Sequence, residues 1–289
     1  MNAEEVLRLL RGCRGQLEQT VVDRFQRYAR IHTTSDKHGE NIPSSRRQFD
    51  LAHLLIDELK GMGVPDVTLT DQCYVIARLP GSEPAEGGGS EVGADTRADG
   101  NSCVPLCLAA HLDTSPDATG KDVRPQLWRN YDGGELHLND EVTLHPEQEP
   151  LLRNYTGETI VTASGETLLG ADDKAGIAEI TTAVNFLLRH PEIPRPPIEL
   201  LFTPDEEIGR GLDGFSPAML SAPAACTFDG GEEGELESEC FNACKAVVYC
   251  TGEPMHLGFA RGRLVNAVSM AAQLVSLLPR NESPEEADG

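Results

Sequence analysis

The chain has 289 residues, with 24 Lys and Arg against 47 Asp and Glu, a formal charge of -23 at pH 7. That balance argues against nucleic-acid backbones and anionic membrane surfaces as partners, since both would repel it. A hydrophobic fraction of 39% suffices for a packed core, and the eight cysteines, several of them inside apolar runs, form no disulfide-like framework. The short apolar core of MNAEEVLRLLRGCRG falls below a signal peptide's, and no apolar run approaches the ~18 residues of a spanning helix. A cytoplasmic setting is expected.

In chain order, Leu17, Val21, Phe25 and Tyr28 recur at spacings of three and four and predict a first helix over roughly 4–28. A polar loop, TTSDKHGENIP, follows. Ser44 is placed to cap a second helix carrying Phe49, Ala52, Leu55, Ile56 and Leu59 on one face, with Gly63 stopping it. VTLT and YVIARLP read as short strands. Residues 81–101, Gly-rich and acidic, read as a flexible surface loop. From Val104 onward, VPLCLAAHLD, a helix over 174–189 and IELLF alternate as strand, helix and strand, with prolines 191, 194, 196 and 197 forcing an extended link. The expectation is an α/β fold: a mixed, mostly parallel sheet flanked by helices. Composition changes after Cys240. The catalytic portion is therefore placed at 1–240 and the start of a second, α+β domain at 241–289, with KAVVYCTG as an edge strand and RLVNAVSMAAQLVSLL as an amphipathic helix. The tail NESPEEADG reads as polar and disordered.

Candidate chemistry collects where these elements end. His111 and Asp113, one residue apart, point to one face of a strand, where a carboxylate can fix which imidazole nitrogen meets a metal. Taken alone, the triplet reads equally well as a polar strand end. Asp172, in GADDKAG, sits at a helix mouth, and a simple N-cap would explain it. Asp205, Glu206 and Glu207 follow a strand directly; three adjacent carboxylates repel one another unless a cation or solvent intervenes. One of the two glutamates could bind a metal while the other takes a proton from its water. Asp229 in FDGG could be merely a turn. Four such features in α/β order, each at a strand or helix end, favour a metal site. The pairs Cys103/Cys107 and Cys240/Cys244 have three intervening residues, one more than zinc pairs usually have, and predict no cysteine site. His256, taken by itself, carries no functional reading.

The segments HLDTSPDATGKDV, TLLGADDKAGIAEI, FTPDEEIGRG and FDGGEEGELE resemble the dizinc exopeptidase family, which includes aminoacylases and carboxypeptidase G, and within it the tripeptide aminopeptidases. VVDRFQRYARIHTTSD and LAHLLIDELKGMGVPDVTL resemble the N-terminal segment of those enzymes, so the similarity covers about 21–284. The resemblance implies two zinc ions: His111, Asp172 and Asp229 on one, with Asp172 bridging to a second that Glu207 also holds. It implies that Asp113 steadies His111 and that Glu206 is the general base for peptide hydrolysis. It also implies that the inserted domain serves as lid and homodimer contact, with His256 reaching a substrate oxygen; here MHLG stands where the family has His-Pro. The family's last metal-ligating His, near its C-terminus, has no counterpart before Gly289. By resemblance the chain is therefore expected to be a truncated tripeptide aminopeptidase whose second zinc is under-ligated. Two other readings stay open: a non-catalytic metal-binding remnant, and a dipeptidase or N-acyl-amino-acid hydrolase of the same fold.

Overall fold

The computed structural model describes residues 1–82, 104–231, 233–239 and 246–280. The expected loop from residue 83 onward, Cys103, the Cys240/Cys244 pair, the domain boundary at 240/241 and the tail 281–289 lie outside the described residues. Two compact units divide between residues 235 and 236.

In the first unit, α1 (Ala3–Ala29) starts with a reciprocal cap: Asn2 accepts from the Glu5 N–H while the Glu5 carboxylate accepts from the Asn2 N–H. Only its last turns are buried, through Phe25, Tyr28 and Ala29. Helix α2 (Gln48–Met62) ends at Gly63, whose φ of 92° makes the left-handed stop that the sequence predicted. Its start departs from expectation. The helix begins after Arg47 with no side-chain cap, because Ser44 spends both its N–H and its hydroxyl on Asp205.

The hairpin β1 (Asp66–Leu69) and β2 (Val75–Leu79) leads to β3 (Leu106–His111). Four short strands follow: β4 (Gln126–Trp128), β5 (Leu136–His137), β6 (Thr143–Leu144) and β7 (Ile160–Thr162). They pair as β4–β7 and β5–β6 over a small cluster of Tyr131, Leu136 and Leu138. Helix α3 (Ala171–Arg189) then precedes β8 (Ile198–Thr203) and β9 (Ala225–Thr227). The main sheet has the order β1-β2-β8-β3-β9. Strands β8, β3 and β9 are mutually parallel, whereas β2 runs antiparallel to both β1 and β8. The sheet is thus mixed and flanked by helices.

Alternation along β8 builds both faces of the sheet. Leu200 and Phe202 join Leu55, Leu59, Ile177, Ile180 and Val184 under the helices. Leu201 turns to the other face, with Tyr74, Ile76 and Ala109. Because β3, β8 and β9 are parallel, their carboxyl ends emerge along one edge, beside the amino end of α3.

In the second unit, α4 (Ala267–Leu277) is capped by Asn266, which accepts from the N–H groups of Val268 and Ser269. The expected KAVVYCTG strand does not form over its described residues. A β-branched run needs a partner strand, and the described residues nearby supply only an isolated bridge between Glu253 and Val265. Among the described residues, no helix is long and apolar enough to cross a membrane.

Candidate metal centre

Each acidic or imidazole group enters the site from the end of a different element. His111 is the last residue of β3, Glu206 and Glu207 follow β8, Asp229 follows β9, and Asp172 and Asp173 open α3. Those two aspartates have non-helical backbone angles, which carry their side chains away from an ordinary helix start. Gly176 lets the last segment approach. A Cβ at that position would stand 2.1 Å from the Phe228 carbonyl oxygen, so only glycine lets the stretch bearing Asp229 lie against α3.

The His111 Nε2 lies 2.8 Å from the nearest Asp172 carboxylate oxygen, 3.8 Å from Asp229 and 3.9 Å from Glu206. Ligand atoms of His111, Asp172 and Glu207 all fall within 4.8 Å of one another, and so do those of His111, Asp173 and Asp229. His111, Asp172, Glu206, Glu207 and Asp229 thus converge on one imidazole. Asp173 is visible in the sequence as the second Asp of the doublet at the helix mouth, but nothing there gives it a role in the site. It is buried and accepts the His111 backbone N–H at 3.0 Å. His256 lies in the second unit, where its ring nitrogen accepts from the Gly258 N–H at 3.1 Å.

Asp113 has more to do than the spacing suggested. His111 Nδ1 stands 3.0 Å from its backbone carbonyl and 3.4 Å from its carboxylate. The two carboxylate oxygens meanwhile accept the backbone N–H groups of Glu206 and Glu207, at 3.0 and 3.2 Å. One buried carboxylate therefore ties the end of β3 to the turn after β8. Nothing in the local sequence signals these bonds, which join residues more than ninety positions apart.

The electrostatics describe a centre built for a cation. Burial works to lower the His111 pKa, but Asp113, Asp173 and Asp172 outweigh it and hold the value up at about 10. Burial pushes the Asp173 carboxyl to about 8 against the pull of His111, and raises Asp229 to about 6 with help from Asp172 and Glu206. Glu207 is pushed up as well, by burial and then by Asp172. Carboxyls crowded enough to hold protons near neutrality are relieved when a dication replaces those protons. One imidazole with several carboxylates is a donor set that divalent zinc accepts, so the residues present fit such an ion.

No protein-family model matches the chain. Its curated relatives include peptidase T of Geobacillus thermodenitrificans, 44% identical over a 276-residue alignment that covers 94% of this chain and 63% of that protein. Peptidase T of Bacillus subtilis is 42% identical over the same shares of each. The chain thus spans 63% of the length of these relatives. Among solved structures, an aminopeptidase PepT from Bacillus cereus superposes with a TM-score of 0.54 at 19% identity, over 90% of this chain and 57% of that one. A tripeptidase from Staphylococcus aureus gives 0.55 at 17% identity, over 94% and 58%. At such identities the superpositions speak for the fold.

Proposed function

From a chain that is a relative of peptidase T along 94% of its own length, we propose a zinc-dependent aminopeptidase that removes the N-terminal residue from tripeptides. The observation that carries the reading is the convergence of His111, Asp172 and Glu207 within 4.8 Å at the carboxyl ends of the parallel strands. Bound there, zinc would supply Lewis acidity toward the scissile carbonyl and lower the pKa of a water. His111, Asp172 and Asp229 would hold one ion, with Asp172 shared with a second ion at Glu207.

Glu206 suits the proton-transfer role. Its backbone is pinned through Asp113, while its side chain is 54% exposed and reaches within 3.9 Å of the ligating imidazole. It takes a proton from the attacking water as the new C–O bond forms. It then delivers that proton to the leaving amine nitrogen as the C–N bond breaks. Asp113 holds both the imidazole and the glutamate turn in register. His256 is proposed to contact substrate. Residues 241–289 are proposed as the start of a lid and homodimer contact, a reading that the exposed Leu257, Phe259, Val275 and Leu277 support. A cytoplasmic setting accords with the free thiols of Cys73 and Cys107.

Glu206→Gln tests the reading. Tripeptide hydrolysis by the intact chain is expected to fall by about 10²-fold or more, with bound zinc unchanged. A variant as active as the parent would remove Glu206 from the chemistry. A second reading is a metal-binding chain that does not hydrolyse peptides, which the donor group around His111 would satisfy by itself. Zinc uptake without tripeptide turnover by the parent chain would select it.

A further inference from the structure

The polar stretch between α1 and α2 forms a strap that is stitched on one side to the segment after β3 and the start of α3, and on the other to the turn after β8. On the β3 side, Thr34 bridges Thr114, the Ser35 N–H donates to the Thr114 carbonyl at 3.2 Å, and Lys174 Nζ donates to the Ile31 carbonyl at 2.7 Å. On the β8 side the anchor is Asp205. Its carboxylate is fully buried and accepts three hydrogen bonds: Ser44 N–H at 2.6 Å, Ser44 hydroxyl at 2.5 Å and Gln48 Nε2 at 2.7 Å. The Gln48 side-chain carbonyl in return accepts the Asp205 N–H at 3.2 Å. Arg210 adds a second stitch, donating to the Gly39 carbonyl at 2.7 Å.

Asp205 immediately precedes Glu206 and Glu207 and sits at φ 56°, in the left-handed region that Asp tolerates better than most residues. Every donor its carboxylate meets belongs to the strap or to the first residue of α2. The turn carrying the two glutamates is thus gripped twice, by Asp113 at its backbone amides and by the strap through Asp205.

We propose that Asp205 is the positioning residue for the Glu206–Glu207 pair, and that Ser44 and Gln48 act through it. The inference rests on the metal-centre reading. It adds that the geometry at Glu207, and hence metal affinity, is set in part by residues about 160 positions earlier in the chain. Outer-shell partners of this kind typically alter metal affinity by about 10–100-fold when removed.

The test uses Asp205→Asn alone and combined with Gln48→Glu in the 289-residue chain, with Co²⁺ as the probe metal. The single change places an amide N–H₂ against donors, whereas the pair restores complementarity with donor and acceptor exchanged. Three readouts are taken: the Co²⁺ binding isotherm, the visible absorption bands of bound Co²⁺, and hydrogen exchange over 203–210. Asp205→Asn is expected to weaken Co²⁺ binding by about 10-fold or more, to shift the bands and to speed exchange, and the double variant to recover all three. A single variant with lower melting temperature but unchanged affinity, bands and exchange would overturn the proposal. If Asp205→Asn does not fold, Ser44→Ala takes its place; it removes one donor, and weaker binding with faster exchange is expected, while parent-like values overturn the idea. If the parent chain takes up no Co²⁺, the metal-centre reading fails separately. The exchange data then decide: faster exchange rescued by the double variant supports Asp205 as the positioning residue, and no change refutes it.

Discussion

Replacing Gly176 by alanine sets two effects of known size against each other. Within a helix, Gly to Ala ordinarily stabilises by about 1 kcal/mol. At this position the new Cβ would lie 2.1 Å from the Phe228 carbonyl oxygen, 2.3 Å from an Asp173 carboxylate oxygen and 3.0 Å from the Phe228 Cβ. The first obstacle is backbone, which cannot rotate aside, so the cost belongs near the top of the ~1–3 kcal/mol range for overpacking. The net expectation is a loss of about 2 kcal/mol, which for a unit of this size lowers the melting temperature by roughly 4–8 °C. Gly61, in α2, is the control: nothing lies within 4 Å of its Cβ position, and Gly61→Ala is expected to stabilise by about 0.5–1 kcal/mol. Thermal unfolding followed by circular dichroism measures both. A stabilising Gly176→Ala, equal to Gly61→Ala, would refute the claim that the backbones of α3 and the Asp229 segment meet at this point.

The ion pair between Arg24 and Glu58 is nearly buried, with side chains 7% and 14% exposed, and Arg27 and Tyr28 also donate to the same carboxylate. Glu58→Ala leaves Arg24 uncompensated and is expected to cost about 3 kcal/mol in urea unfolding at pH 7; a cost below about 1 kcal/mol would contradict the buried-pair assignment. Burial works to raise the Glu58 pKa, but hydrogen bonds from Arg24 and Tyr28 and the charge of Arg27 outweigh it and lower the value. Its contribution is therefore present above the unfolded value of about 4.3 and lost as pH falls through the lower folded value. The acid limb of stability should flatten in Glu58→Ala, and an unaltered limb would count against it. Zinc uptake at pH 7 should release at least one proton, that of His111, with a further contribution from Asp173, read by calorimetry in buffers of different ionisation enthalpy; release of none would contradict an imidazole held protonated up to about 10.

The elements that position the site were legible because each couples a local pattern to a long apolar run. β3 and β8 read as buried strands, and their terminal His111, Asp205, Glu206 and Glu207 followed from where those runs stop. The helices read equally well through their spacing and through Gly63. Legibility ended where structure rests on pairing between distant segments. Strands β4 to β7 are two or three residues long, too short for any period to register. The antiparallel placement of β2 depends on its pairing with β8, which lies more than one hundred residues later. Ser44 looked like a helix cap because Ser caps helices in general. Its actual partner, Asp205, is 161 positions away.

The same distinction orders the acids of the site by what neutralises them. Asp113, Asp173 and Asp205 are buried, and their carboxylates are met by backbone N–H, hydroxyl and amide donors. Asp172, Glu206 and Asp229 keep side chains 68%, 54% and 36% exposed and face His111. Protein donors hold the inner set, with the charge of His111 drawn to Asp113 and Asp173 as well. The outer set shares a single imidazole, with Asp172 2.8 Å from His111 Nε2, and an arriving dication would relieve the repulsion that one imidazole leaves. This division between acids held by backbone and side-chain donors and acids that share one imidazole explains why the cluster favours taking up a cation. It also explains why the centre's geometry depends on residues such as Ser44 and Gln48 that never touch the ion.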